Sequence, residues 1–117
     1  MNTLKIIYNE TWNDYANFSV FVKSGKFSGE TNFCISACLL KEGIDALQKI
    51  YQSLNGSYVL NDYDSDDFIS FEMQKHGQLL IRGQIGGSHN PQFLNFEMSE
   101  DQTYLAEIIQ DLKGAFH

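Results

Sequence analysis

The sequence predicts an α+β domain of two layers, a mostly antiparallel sheet with two amphipathic helices packed on one face. Apolar and polar residues alternate in six stretches, the period of half-buried strands. Two other stretches place apolar residues at the three-to-four spacing of a helix face. Short connections between most of the alternating stretches suit antiparallel hairpins better than parallel crossovers. The predicted order is β-β-β-α-β-β-β-β-α, and residues 1–117 read as a single domain without linker, repeat or low-complexity tract.

The elements follow in chain order. Leu4, Ile6 and Tyr8 face one way in the first strand, and Phe18, Val20 and Val22 do so in the second. Phe33, Ile35, Ala37 and Leu39 alternate with Cys34, Ser36 and Cys38, which predicts a third strand over 33–39. Ile44, Leu47, Ile50, Tyr51 and Leu54 then form one helical stripe, stopped by Asn55-Gly56. The start of this helix carries no clear signal. A shorter strand, Tyr58 to Asn61, precedes the alternations Ile69-Phe71-Met73, Leu79-Ile81-Gly83-Ile85 and Leu94-Phe96-Met98. In the last helix, Ser99 and Gln102 have the spacing of a capping box, and Glu100 and Asp101 suit the positive end of the helix dipole. Tyr104, Leu105, Ile108, Ile109 and Leu112 make its buried stripe, which Gly114 ends.

Charge sharpens the picture. Eight basic residues against fifteen acidic ones leave a net −7, with a pI near 4.7. Residues 1–58 balance five acids with five lysines. Residues 59–117 set ten acids against Lys75, Arg82 and Lys113, so the whole net charge lies in the second half. Such a surface repels nucleic acid and anionic membrane, and no partner of either kind is expected. It favours a basic partner or plain solubility.

The first ten residues lack the apolar run of a signal peptide, and the longest such run, Cys34 to Leu40, falls far short of the roughly 18 residues of a membrane span. A cytoplasmic protein is expected. On a strand, Cys34 and Cys38 would stand about 13 Å apart, beyond the ~7 Å that a disulfide can bridge. Two reduced, packed thiols are the plainer reading, and a metal half-site would need a second pair.

The densest polar cluster is Asn61-Asp62-Tyr63-Asp64-Ser65-Asp66-Asp67. Asp62, Asp64 and Asp66 have the alternate spacing of a calcium loop, but Asp67 and Met73 stand where an EF-hand needs glycine and glutamate. Two readings remain, a solvated turn and a partner-binding acidic loop. Gly83-Gln84-Ile85-Gly86-Gly87-Ser88-His89-Asn90 has the look of a phosphate cradle, yet a strand follows it where a helix is required, so a hairpin loop is the better account. His76 and His89 have no nucleophile in a known pattern beside them, and His117 is terminal. No catalytic residue, metal site or cofactor is expected. Trp12, Tyr15, Phe18 and Phe21 crowd the second strand and read as core edge before ligand cage. Ile7, Phe21, Phe68 and Phe93 fall opposite the apolar face, either as ordinary scatter or as a second sticky face.

Several segments together resemble a known family. They are Asn17-Phe18-Ser19-Val20, the leucine-ended first helix, Asp64 to Glu72, Gly77 to Gly87, and the closing Leu94 to Leu105. Over roughly residues 12–113 the chain resembles the WapI-like immunity proteins, which neutralise toxic C-terminal domains of contact-delivered bacterial toxins. The shared motifs are strands, turns and a helix start, with no catalytic residue among them. The resemblance implies a non-enzymatic protein whose partner is a toxin domain, in many cases a nuclease with a basic surface. On that expectation Asp62, Asp64, Asp66 and Asp67 are the leading contacts, Tyr63 an aromatic anchor, and Glu100 and Asp101 a second patch. The alternative is a small-ligand or oligomerisation module that uses the second sheet face, its acids serving only solubility.

Overall fold

The computed structural model describes residues 2–116, so His117 lies outside the described residues. Seven strands and two helices follow in the expected order: β1 (Thr3–Trp12), β2 (Tyr15–Ser24), β3 (Phe27–Ser36), α1 (Ala37–Ser53), β4 (Gly56–Asn61), β5 (Phe68–Met73), β6 (Gln78–Ile85), β7 (Leu94–Asp101) and α2 (Thr103–Lys113). Every strand pairing is antiparallel. The fold is α+β. The strands divide into two sheets, β1-β2-β3 and β4-β5-β6-β7, where alternation alone had suggested one. Alternation reports which side of a strand is buried, and a break in strand pairing leaves that unchanged.

One apolar core joins both sheets and both helices. Phe18 and Phe33 from the first sheet, Ile69, Phe71 and Ile81 from the second, Leu47 from α1 and Leu105 from α2 are all buried in it. Helix α1 packs on α2 and β4, and α2 packs on β1. The two sheets meet along β3. Near one end Gly29 comes so close to Ile85 that an added methyl would sit 3.0 Å from the Ile85 Cδ1. Near the other, the Tyr63 N–H donates to the Cys34 carbonyl at 2.8 Å.

Two boundaries differ from the expectation. The third strand stops at Ser36, whose hydroxyl accepts from the Leu39 N–H at 3.3 Å, and the helix begins at Ala37. Cys38 is therefore helical and the strand-based spacing of the two cysteines does not apply; both are free. Ser99 caps nothing. It lies in β7, where its hydroxyl bonds Gln78, and α2 starts four residues later, at Thr103, whose N–H and hydroxyl both bond the Asp101 carboxylate.

The outer edge of β1 is covered from the far end of the chain. The Leu4 N–H donates to the Tyr104 hydroxyl at 2.8 Å, and that hydroxyl donates back to the Leu4 carbonyl at 3.0 Å. A sheet edge so occupied offers no free backbone groups at that point to another strand.

Candidate partner-binding surface

The acidic loop joins β4 to β5, and its aspartates fall into two kinds. Asp62 and Asp67 are buried. Asp62 accepts from the Cys34 N–H at 2.9 Å and the Ser65 hydroxyl at 2.6 Å, which pins the loop to β3 and to itself. Asp67 accepts from the Gly86 N–H at 2.9 Å, the Gly87 N–H at 2.8 Å and the Gln84 side-chain amide at 3.2 Å. Gly86 and Gly87 have φ of 99° and 75°, a left-handed pair whose N–H groups converge on an anion. The glycine-rich stretch that looked like a phosphate cradle thus holds the chain's own carboxylate.

Asp64 and Asp66 are exposed. Asp66 accepts from the Ser88 hydroxyl, the Ser88 N–H at 3.0 Å and the Gln84 amide at 2.9 Å. These bonds, those from Ser88 foremost, favour the charged form and hold its carboxyl below the usual aspartate range. Asp64 makes no such anchor, and its charge reaches Tyr15 and Cys34. Burial, with the nearby charges of Asp64 and Asp62, pushes the Cys34 thiol upward.

Tyr63 is 68% exposed and its ring lies 4.8 Å from that of Tyr15, tilted by 45°. The neighbouring phenol of Tyr63 raises the Tyr15 hydroxyl above its ordinary value. Trp12, directly opposite Tyr15 across the two-residue turn Asn13–Asp14, is 74% exposed. Of the four aromatics read as core edge, only Phe18 is buried, while Tyr15 and Phe21 are half-buried. The aromatic class of Trp12 argued for the core, whereas its place beside a hairpin turn was the signal against it.

Glu100 and Asp101 lie elsewhere. Along β6 and β7 the Gln78–Asp101 pair is six residues from the Gln84–Asn95 pair next to the acidic loop, about 20 Å of strand. The two acidic groups belong to opposite ends of the four-stranded sheet. The suspected second face is also divided: Ile7 and Phe21 share the outer side of the three-stranded sheet, Phe68 belongs to the other sheet, and Phe93 precedes β7. His76 and His89 are exposed in turns. Among the described residues no group of three or more His, Cys, Asp or Glu side chains converges as a metal site, and no helix is long and apolar enough to cross a membrane.

Residues 3–117 match the model of the immunity protein WapI-like family, essentially the whole chain. The chain belongs to this family. No curated protein and no solved structure matches it. Membership in the WapI-like immunity family points to a toxin-neutralising role, and it extends the similarity beyond residues 12–113 to both ends of the chain. In this WapI-like protein the loop spends two carboxylates internally and presents Tyr63, Asp64 and Asp66 outward.

Proposed function

We propose that the protein neutralises a cognate bacterial toxin domain by binding it directly, as a non-enzymatic cytoplasmic inhibitor. The partner is the toxin's C-terminal domain, with a basic surface. The observation that supports this most is the construction of the acidic loop. Asp62 and Asp67 are consumed as its framework, so Tyr63, Asp64 and Asp66 are held in place before any partner arrives. A preorganised loop loses little freedom on binding. Its charge would steer a basic domain toward it and, against a nuclease, occupy the cleft that otherwise grips a polyanion. Glu100 and Asp101 form a separate contact candidate at the far end of the sheet.

Co-expression with the toxin C-terminal domain encoded beside it tests the reading. Protection of the cells is expected; if the toxin still kills, the reading is wrong. Asp64→Asn with Asp66→Asn should weaken protection, and Glu100→Gln with Asp101→Asn reports on the second patch. Protection that survives both pairs removes the contact assignment and leaves the function standing.

A further inference from the structure

We propose that Trp12, Tyr15 and Tyr63, with Asp14 in the adjoining turn and Asp64 in the adjoining loop, form an aromatic platform that receives an arginine side chain of the partner protein. The proposal rests on the direct-binding reading and names the chemistry of its contact.

The three residues are neighbours. Trp12 and Tyr15 face each other as the last pair of the β1–β2 ladder, and side chains of such pairs stand on one face with Cβ atoms about 5 Å apart. Tyr15 in turn meets Tyr63 at 4.8 Å. Its parts are fastened from behind. Asn13 and Asp14 are both left-handed, with φ of 52° and 66°, and the Asp14 carbonyl accepts from the Ala37 N–H at 2.9 Å, which ties the hairpin tip to the start of α1. The Tyr63 N–H is held by the Cys34 carbonyl at 2.8 Å. Two large aromatics, about three-quarters and two-thirds exposed, thus stand on or beside tethered backbone. Aromatic anchors of this kind dominate binding energy at protein interfaces.

Charge selects the occupant. The segments that build the platform, 10–17, 33–38 and 61–67, hold Glu10, Asp14, Asp62, Asp64, Asp66 and Asp67 and not one lysine, arginine or histidine. Lys41, one turn into α1, lies over the Phe116 ring at 5.4 Å and is engaged there. A cation is therefore the complement. Guanidinium is preferred to ammonium, because its flat face stacks on aromatic rings while its edge forks onto a carboxylate.

Trp12 is the single tryptophan, so fluorotryptophan labelling of the full chain gives one fluorine resonance at the platform. Titration with a hexa-arginine peptide should move it, and a hexa-glutamate peptide should not. Tyr63→Ala should weaken the peptide about tenfold, while Phe27→Ala, at the other end of β2–β3, should leave it unchanged. The toxin domain should move the same resonance and lose at least about tenfold in affinity on Trp12→Ala, with the variant's thermal unfolding unchanged. An unmoved resonance with hexa-arginine overturns the arginine chemistry. A toxin complex that forms without moving it overturns the platform and leaves direct binding intact. If hexa-arginine moves it and the toxin domain does not bind, the platform stands and the direct-binding reading fails. A resonance that shifts with protein concentration alone makes a second copy the occupant and overturns the proposal.

Discussion

The Asp67 carboxylate and the Gly87 N–H meet at 2.8 Å in the interior, twenty residues apart in the chain. Around that contact the β4–β5 and β6–β7 loops become one unit, because Gly86 bonds the other Asp67 oxygen and Ser88 bonds Asp66. Backbone N–H groups in a left-handed pair form an anion site, and here its ligand is internal. A loop with four aspartates would repel itself if all four were free. Burying two against donors turns that repulsion into a scaffold for the two that remain outside.

Asp67→Ala leaves the Gly86 and Gly87 N–H groups and the Gln84 amide without their acceptor. It should lower the free energy of unfolding by about 3 kcal/mol, read from urea melts. Asp64→Ala, on the exposed side of the same loop, should stay within about 0.5 kcal/mol. Equal effects from the two would contradict the division between framework and display.

The helix starts give a second contrast. Ser36→Ala removes the side-chain acceptor of the Leu39 N–H and should cost about 1 kcal/mol. Ser99→Ala, in β7, should change stability by less than about 0.5 kcal/mol. A larger loss at Ser99 than at Ser36 would reinstate the capping box that the sequence spacing implied.

Acid should shift stability in opposite directions through two sets of carboxylates. Asp66 and Asp101 are held low, Asp66 by Ser88 and Asp101 by Thr103. Their stabilisation is present above the unfolded aspartate pKa of about 3.9 and is lost as pH falls through the lower folded values. Asp111 is raised by burial, against the pull of Lys5. It therefore burdens the fold above its folded pKa, and that burden lifts as pH falls toward the unfolded value. In urea midpoints between about pH 3 and pH 7, Asp66→Asn should flatten the acid-side loss. Asp111→Asn should stabilise more at the neutral end than at the acid end.

Gly83 is a packing prediction. A methyl there would lie 2.5 Å from the Phe96 Cζ and 2.6 Å from the Phe68 carbonyl oxygen, and the backbone oxygen cannot swing aside. Gly83→Ala should cost about 3 kcal/mol by thermal or urea unfolding. A near-neutral result would mean that β5 and β7 can separate at this point.

Element order was readable from the sequence because each strand and helix prints its own period on its own residues. The β3–α1 junction was not. Ala37 and Leu39 continue the alternation of Phe33 and Ile35, while the helical stripe includes Leu40 and needs Ser36 to be recognised as a cap. The roles within the acidic loop were hidden for a different reason. What separates Asp67 from Asp64 is a pair of glycines some twenty residues downstream, and no local pattern carries that distance. Trp12 has the residue type of a core but stands at the Asn13–Asp14 turn, where its side chain faces solvent.

The clasp between Leu4 and Tyr104 has a consequence in time. Strand β1 leaves the ribosome a hundred residues ahead of the helix that covers its edge. Until that helix emerges, the strand has no cover, and closing so long a loop makes folding slow relative to locally paired chains. Only finished copies carry the covered edge; a nascent chain on the ribosome presents it bare.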